Sequence, residues 1–178
     1  MSTYGTALDE TPDNVNFLSP LVFKFQVKKT PVLNFYVQNI NLPGVHLQQT
    51  ESPNPFVQLP QSGDHILYDD LMINFKVNED FSNWLEIYNW IKGMGFPKNF
   101  DQYAALDDVA VATGEGLRSD ASLIIMTSDR IPKYNVVFHN AFPISISSLI
   151  FDVTRLRDDY IDAAATFRYD YYTFEEVT

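Results

Sequence analysis

Alternating apolar and polar residues mark the clearest secondary structure in this chain. Residues 21–28 place leucine, phenylalanine and valine on one face and lysine and glutamine on the other. Residues 71–77 alternate in the same way, with four apolar side chains against two polar ones and a methionine. A period of two with one apolar face predicts a half-buried β-strand at each position.

A second strand is predicted at Val32–Gln38, with Leu33, Phe35 and Val37 on one side. Only Lys29–Pro31 separates it from the first strand, which is too short for a crossover connection. The pattern therefore predicts an antiparallel hairpin between the two.

A helix is predicted directly after residues 71–77. Its apolar stripe consists of Phe81, Trp84, Leu85, Tyr88 and Ile91. Asp80 or Ser82 can cap its start, and glycines at 93 and 95 end it before Pro97. We expect Trp84, Tyr88 and Ile91 to pack on the sheet. Glu86, Asn89 and Lys92 should face solvent.

The remaining segments have weaker patterns. Residues 45–64 are rich in Gln, Pro and Ser and predict an extended loop with room for one edge strand. Residues 99–120 predict a second extended loop. Strand-like runs follow at 121–127, 134–139, 144–151 and 161–174, and the last is long and aromatic.

The elements predict a mainly β, α+β fold: an antiparallel β-sandwich or partial barrel with one packed helix. A single domain is expected over residues 17–178. Residues 1–16 are polar, carry three acids and lack a signal-peptide pattern. This arm should be disordered in the free subunit and ordered by a neighbour.

Charge and composition narrow the function. The formal net charge is -11, from 23 acidic and 12 basic residues. Stable nucleic-acid binding depends on Lys and Arg that neutralise phosphates, so this chain is a poor candidate for it. The absence of cysteine excludes disulfides, thiolate metal sites and cysteine nucleophiles. No apolar run approaches the roughly 20 residues that a membrane-spanning helix needs.

The candidate chemistry is sparse. Three histidines, His46, His65 and His139, would all have to converge to bind zinc, and none forms a closely spaced pair. Three carboxylate pairs could serve hydrolysis: Asp69–Asp70, Asp107–Asp108 and Asp158–Asp159. Adjacent residues on a strand point to opposite faces, so solvated turns explain these pairs better.

No nucleophile or phosphate-binding motif is present. GxSxG and SxxK are absent, and the loop Thr113–Gly116 lacks the rest of a phosphate-binding pattern. The sequence predicts no catalytic residue, no metal site and no cofactor. Two other classes stay open: a lytic enzyme that uses loop carboxylates, and a monomeric β-barrel that binds a ligand.

Four segments together resemble the tail tube proteins of contractile-tailed bacteriophages. Phe35–Gly44, with Asn34 before it, resembles the first hairpin of that family, which closes on a Leu-Pro-Gly turn. Asp69–Val77 followed by residues 84–90 resembles the central strand and its helix. Asn140–Ile144 is similar to an Asn-Ala-aromatic-Pro step, and Ala165–Phe174 to the closing strand.

This resemblance implies a structural, non-enzymatic virion subunit. Members form hexameric rings in which the sheets join into one barrel, and the rings stack into a tube. DNA and a tape-measure protein occupy the lumen, while tail sheath and baseplate contact the outside. The resemblance also implies assembly in the host cytoplasm, no membrane and no stable DNA binding. The two extended loops indicate inter-ring contacts, or a specialised adaptor or terminator ring.

Overall fold

The computed structural model describes residues 17–95, 101, 116–154 and 160–177. Two helices and nine strands lie within these ranges. They are β1 (Phe23–Val27), α1 (Pro31–Tyr36), β2 (Val37–Ile40), β3 (Val45–Ser52), β4 (Leu59–Tyr68), β5 (Leu71–Lys76), α2 (Ser82–Gly95), β6 (Ser119–Met126), β7 (Pro132–Ile146), β8 (Asp162–Arg168) and β9 (Tyr171–Glu176).

Seven of the strands form one antiparallel sheet in the order β1-β6-β7-β8-β5-β2, with β9 also paired to β7. Strands β8 and β9 lie against the same neighbour in the same direction. Phe142 of β7 is opposite Arg168, and His139 is opposite Tyr171. The aromatic run predicted at residues 161–174 is therefore one strand path, interrupted at Tyr169 and Asp170.

The sheet folds over on itself. Helix α1 connects the two outermost strands, β1 and β2, so these edges come together with the helix between them. The fold class predicted from the sequence is confirmed: mostly antiparallel sheet with few helices. The described residues form a partial barrel that stays open.

The core lies between the two halves of this sheet. Its largest fully buried side chains include Phe75, Phe138, Phe167, Leu33, Leu71 and Ile73. Strand β5 alternates buried and exposed residues, as its sequence predicts. Trp90 of α2 packs toward this core with its ring 6.2 Å from that of Phe167. It also donates a 2.9 Å hydrogen bond to the carbonyl of Leu117.

The predicted hairpin between β1 and residues 32–38 is wrong. Residues 31–36 form a helix, and β1 pairs with β6 instead. Pro31 begins the helix, where a missing N–H costs nothing. Asn34 then accepts from the Val27 amide at 2.8 Å and donates to its carbonyl at 3.0 Å. As a result Leu33 is buried and Phe35 is 84% exposed. The segment Phe35–Gly44 accordingly holds one strand, β2, and no hairpin.

The buried face of α2 also differs from the prediction. Asn83, Ile87, Trp90 and Gly93 are buried. Trp84 and Ile91 are half-buried, and Tyr88 is exposed. The aromatic side chains of the predicted stripe pack on one another instead, since Trp84 lies 5.1 Å from Phe81 and 5.2 Å from Tyr88.

The start of α2 is held by Asn78 rather than by Asp80. Asn78 and Asn83 exchange backbone-to-side-chain hydrogen bonds of 3.3 and 3.4 Å. The side-chain Nδ2 of Asn78 also donates to the Ser82 hydroxyl at 2.7 Å. Side-chain oxygens of this kind satisfy the amides that a helix start leaves unpaired.

Other boundaries are mostly as expected. The run at 121–127 is β6, while the runs at 134–139 and 144–151 form parts of one long strand, β7, which ends at Ile146. The arm over residues 1–16 and most of the segment 99–120 lie outside the described residues. Within the described part, no helix is long and apolar enough to cross a membrane.

Candidate assembly surfaces

Strands β3 and β4 form a hairpin that, among the strands of the described ranges, pairs only with itself. All of β3 except Ser52 is exposed, and β4 is exposed except at Gly63 and Tyr68. At its tip Phe56 is 96% exposed. The segment 45–64 is therefore not the extended loop predicted from its prolines.

The prolines lie where a hairpin tolerates them. Pro53 and Pro55 fall between the strands, and Pro60 sits at the start of β4 opposite Glu51. A missing N–H is tolerated at edge positions and at strand ends. We call this β3–β4 hairpin the arm. It carries exposed apolar side chains that lie outside the core, among them Val45, Leu47, Ile66 and Leu67.

Four aromatic rings gather at the base of this hairpin. Tyr68, the last residue of β4, lies 5.9 Å from Tyr169 and 5.3 Å from Tyr172. Both of these tyrosines also contact Phe138 of the core, at 5.1 and 5.6 Å. The cluster joins the arm to the sheet.

Two tyrosine hydroxyls also form hydrogen bonds between the sheet and the base of the hairpin. The Tyr169 hydroxyl donates to the carbonyl of Asp69 at 2.9 Å, and the Tyr172 hydroxyl donates to that of Pro43 at 3.3 Å. Burial, followed by the neighbouring Tyr172 and Asp69, raises the pKa of Tyr169. Burial and then Tyr68 raise the pKa of Tyr172. Both phenols therefore remain hydrogen-bond donors near neutral pH.

A line of irregularities crosses the sheet beside this cluster. Asn140 has a positive φ of 56°. Its amide donates to Asp120 at 2.9 Å, and its side chain donates to Asp170 at 2.7 Å. Asp170 is paired with Arg118 at 3.0 Å. Register also shifts in β6 at this level, between Ser119 and Ala121. We call this line the crease.

The three histidines do not converge on a metal. His46 contacts Asp69 at 3.2 Å, and His65 contacts its neighbour Asp64 at 2.5 Å. His139 shares a 3.1 Å hydrogen bond with Thr173. In the described ranges, no three histidine or carboxylate side chains are grouped to hold a metal ion.

The carboxylate pairs are either engaged or outside the described residues. Asp69 contacts His46, and Asp70 is paired with Arg168 at 2.8 Å. The pairs at 107–108 and 158–159 and the loop 113–115 are not described. A groove of about 450 Å³ runs beside β5 and β8, and its lining includes Lys76, Asp162 and Ser147. The Ser147 hydroxyl accepts a 2.9 Å hydrogen bond from the Ala164 amide.

Comparison with known proteins identifies the family to which this chain belongs. The family described as phage tail tube protein matches residues 11–175. The chain belongs to the phage tail tube protein family. This agrees with the resemblance carried by its β5–α2 segment and its closing strand.

Relatives of this tail tube family member are distant. It is 22% identical over 151 residues to the tail tube terminator protein of Enterobacteria phage T4, covering 83% of this chain and 81% of that protein. It resembles the tube terminating cap of the anti-feeding prophage with a TM-score of 0.61, 13% identity, and coverage of 97% and 100%.

The tube terminator of the PVC extracellular contractile injection system is similar in fold. It has a TM-score of 0.61 and 16% identity, with coverage of 91% and 99%. At such identities these likenesses show a shared fold across nearly the whole chain.

Sequence reasoning missed the tyrosines that hold the arm of this tail tube family member. Tyr169 and Tyr172 are three residues apart, and on a regular strand such residues point to opposite faces. The interruption at the crease turns both toward Tyr68. The one local signal was Asn140, since Asn is among the few residues that tolerate a positive φ.

Proposed function

We propose that this chain is a structural subunit that forms a ring with copies of itself at the end of a tail tube. The observation that carries the proposal is the β3–β4 arm, which leaves the subunit's own core and presents apolar side chains to solvent. Membership in the tail tube family supplies the context in which such an arm is buried.

An isolated subunit with this surface would be prone to aggregation. Both edges of the hairpin offer unpaired backbone groups, and exposed strand edges pair readily with other chains. A closed ring buries such edges by repeating one contact around an axis. The arm is therefore explained best as a contact between copies, and six is the number that the tail tube resemblance implies.

The terminal position rests on the relatives. The phage T4 relative is named a tail tube terminator, and two solved structures of the same fold are described as a tube terminating cap and a tube terminator. A ring in the body of the tube is the second candidate, favoured by the family description itself.

The position of such a ring in the tail determines which proteins it would contact. Sheath and baseplate or head-proximal proteins would contact its outside, and a tape-measure protein and DNA would pass through its lumen. With 23 acidic against 12 basic residues, the subunit should let DNA pass without holding it.

A structural role also accounts for the acidic pair at the hairpin base. Asp69 and Asp70 engage His46 and Arg168, and their backbone carbonyls accept from Tyr169 and Asn41. These contacts tie the arm to the sheet.

The test is to add fluorescently labelled subunit to growing tubes of the matching tube protein. A terminator labels tube ends and shortens the tubes as its concentration rises. Label along the whole length would instead indicate a ring of the tube body. Label that stays in solution would contradict both.

A shortened arm serves as the matched variant. Gln49 pairs directly with Ser62, so residues 50–61 can be replaced by Asn-Gly, the preferred two-residue hairpin turn. This variant keeps the aromatic base intact and should fold but fail to bind tubes. If it binds them like the full chain, the arm is not the contact.

A further inference from the structure

We propose that Tyr169 and Tyr172 are positioning residues for assembly: their hydroxyls fix the direction of the β3–β4 arm so that it meets a second copy of the chain. This rests on the ring proposed above and deepens it, since it names the groups that aim the contact. We call the two tyrosines the clamp, because each hydroxyl donates a hydrogen bond to one end of the hairpin.

The clamp holds both ends of the hairpin. Tyr172 bonds the carbonyl of Pro43, two residues before β3, and Tyr169 bonds that of Asp69, one residue after β4. The two ends are also joined to each other, because the Asp69 amide donates to the carbonyl of Gly44 at 3.1 Å. An arm held at both ends by two tyrosines only three residues apart cannot pivot freely.

Other residues at the base of the hairpin make further contacts beside these two hydrogen bonds. Asn41 donates to the carbonyl of Asp70 at 3.2 Å and accepts from the amide of Met72 at 2.5 Å. Gly44 fits against Asp69 so closely that an added Cβ would lie 2.7 Å from a carboxylate oxygen. A larger residue there would require the Asp69 side chain to move away from its present position.

The crease makes the clamp possible. On an uninterrupted strand, one of the two tyrosines would face away from the hairpin. Both rings instead face Tyr68 and Phe138, with their centroids 6.0 Å apart. Tyr171, between them, points elsewhere and lies against His139 at 4.6 Å.

The hydroxyls can be separated from the rings by experiment. Tyrosine-to-phenylalanine exchange keeps the aromatic packing and removes only the donor. Packing alone should therefore hold the hairpin near the sheet in the variants. The hydroxyls are needed to restrict its angle, which matters only when the tip must reach another subunit.

The experiment compares the single variants Tyr169→Phe and Tyr172→Phe, their double variant, and Tyr171→Phe as control. Tyr171 lies on the same strand, and its hydroxyl has no hydrogen-bond partner within the described ranges. Amide exchange is measured on dilute, unassembled subunit, and assembly is measured by light scattering over a concentration series.

The proposal predicts a local effect in the double variant. Amides at the arm base, residues 45–47 and 66–68, should exchange at least about tenfold faster, while those of β5 keep their wild-type rates. The assembly midpoint should move to at least about tenfold higher concentration. Tyr171→Phe should match wild type in both measurements.

The clamp would be overturned by wild-type exchange at the arm base in the double variant, or by wild-type assembly despite faster exchange. Equal acceleration in β5 would also overturn it, because the hydroxyls would then stabilise the whole fold. If the wild-type chain never assembles, the ring proposal fails, and the exchange data still decide whether the hydroxyls hold the arm.

Discussion

Asn140 donates a 2.7 Å hydrogen bond from its side chain to Asp170, where the register of β6 and β7 shifts and the strand path from β8 to β9 is interrupted. The Asp170 amide returns a 3.0 Å bond to the carbonyl of His139. This reciprocal contact fixes the crease and the strand break beside it. It also gives a physical meaning to the Asn140–Ile144 segment, in which Asn adopts the left-handed backbone and Pro143 is buried after it.

The loss of stability on replacing Asn140 should depend on how well the new residue tolerates a positive φ. Asn140→Gly keeps access to positive φ but loses the bond to Asp170, and should lower the free energy of unfolding by about 1 kcal/mol. Asn140→Ala loses the bond and also strains the backbone, for a total of about 2–3 kcal/mol. Denaturant unfolding measures both. Alanine that is as stable as glycine would show that the left-handed conformation is unimportant.

Strong alternation predicted much of the fold, and side-chain hydrogen bonds that alternation does not encode explain the failures. Strand β5 was predictable because its alternation coincides with its burial. Residues 32–38 alternate as clearly, yet Pro31 and the side chain of Asn34 start a helix that buries Leu33. Periodicity alone could not show this, because the deciding partner of Asn34 is Val27. The clamp was hidden for a similar reason, since it depends on the crease.

The corrected face of α2 predicts which tryptophan matters more. Trp90 is 2% exposed and hydrogen-bonded, so Trp90→Ala should cost about 3–5 kcal/mol. Trp84 is half-buried, and its buried indole nitrogen has no hydrogen-bond partner among the residues that the structure describes. Trp84→Ala should therefore cost only about 1–2 kcal/mol. Thermal and denaturant unfolding of both variants check this order. The reverse order would restore the face predicted from the sequence.

Glu86 should matter more to α1 than that helix's own N-cap residue. Its carboxylate accepts from the amides of Leu33 at 3.1 Å and Val32 at 3.4 Å. Thr30, at the N-cap, makes no capping bond, and its buried hydroxyl finds no partner in the described part of the chain. Glu86→Ala should cost about 1–2 kcal/mol.

Thr30→Val is the matched comparison for Glu86. It removes a hydroxyl that gains nothing in the folded state, so stability should be equal to or above wild type. Equilibrium unfolding of the two variants side by side measures this. A loss with Thr30→Val as large as that with Glu86→Ala would show that the threonine caps the helix.

The raised phenol pKa values predict loss of stability at alkaline pH. Unfolded tyrosine ionises near pH 10, whereas Tyr169 and Tyr172 in the folded subunit hold their protons to higher pH. The unfolded state therefore releases protons first, and the free energy of unfolding falls as pH rises past about 10. The double phenylalanine variant should show a shallower fall. Equal slopes would mean that these phenols do not differ between the two states.

The acidic surface predicts no retention of duplex DNA. Counterion release requires clustered cations, and this chain carries 12 basic residues against 23 acidic ones. Fluorescence anisotropy should detect no binding of labelled duplex at physiological salt, and lowering the salt should not restore it. Tight, salt-sensitive binding would reveal a basic surface and remove the electrostatic support for a DNA conduit.

The mass of the purified full-length chain in solution tests the central claim most directly. Light scattering coupled to size exclusion should show that the mean mass rises with concentration. It should then level off at a fixed multiple of the 20.4 kDa chain mass, as a closed ring requires. The variant with residues 50–61 replaced by Asn-Gly should remain at the mass of one chain. A full-length chain that stays at 20.4 kDa at every concentration, alone and with tube protein present, would contradict the account.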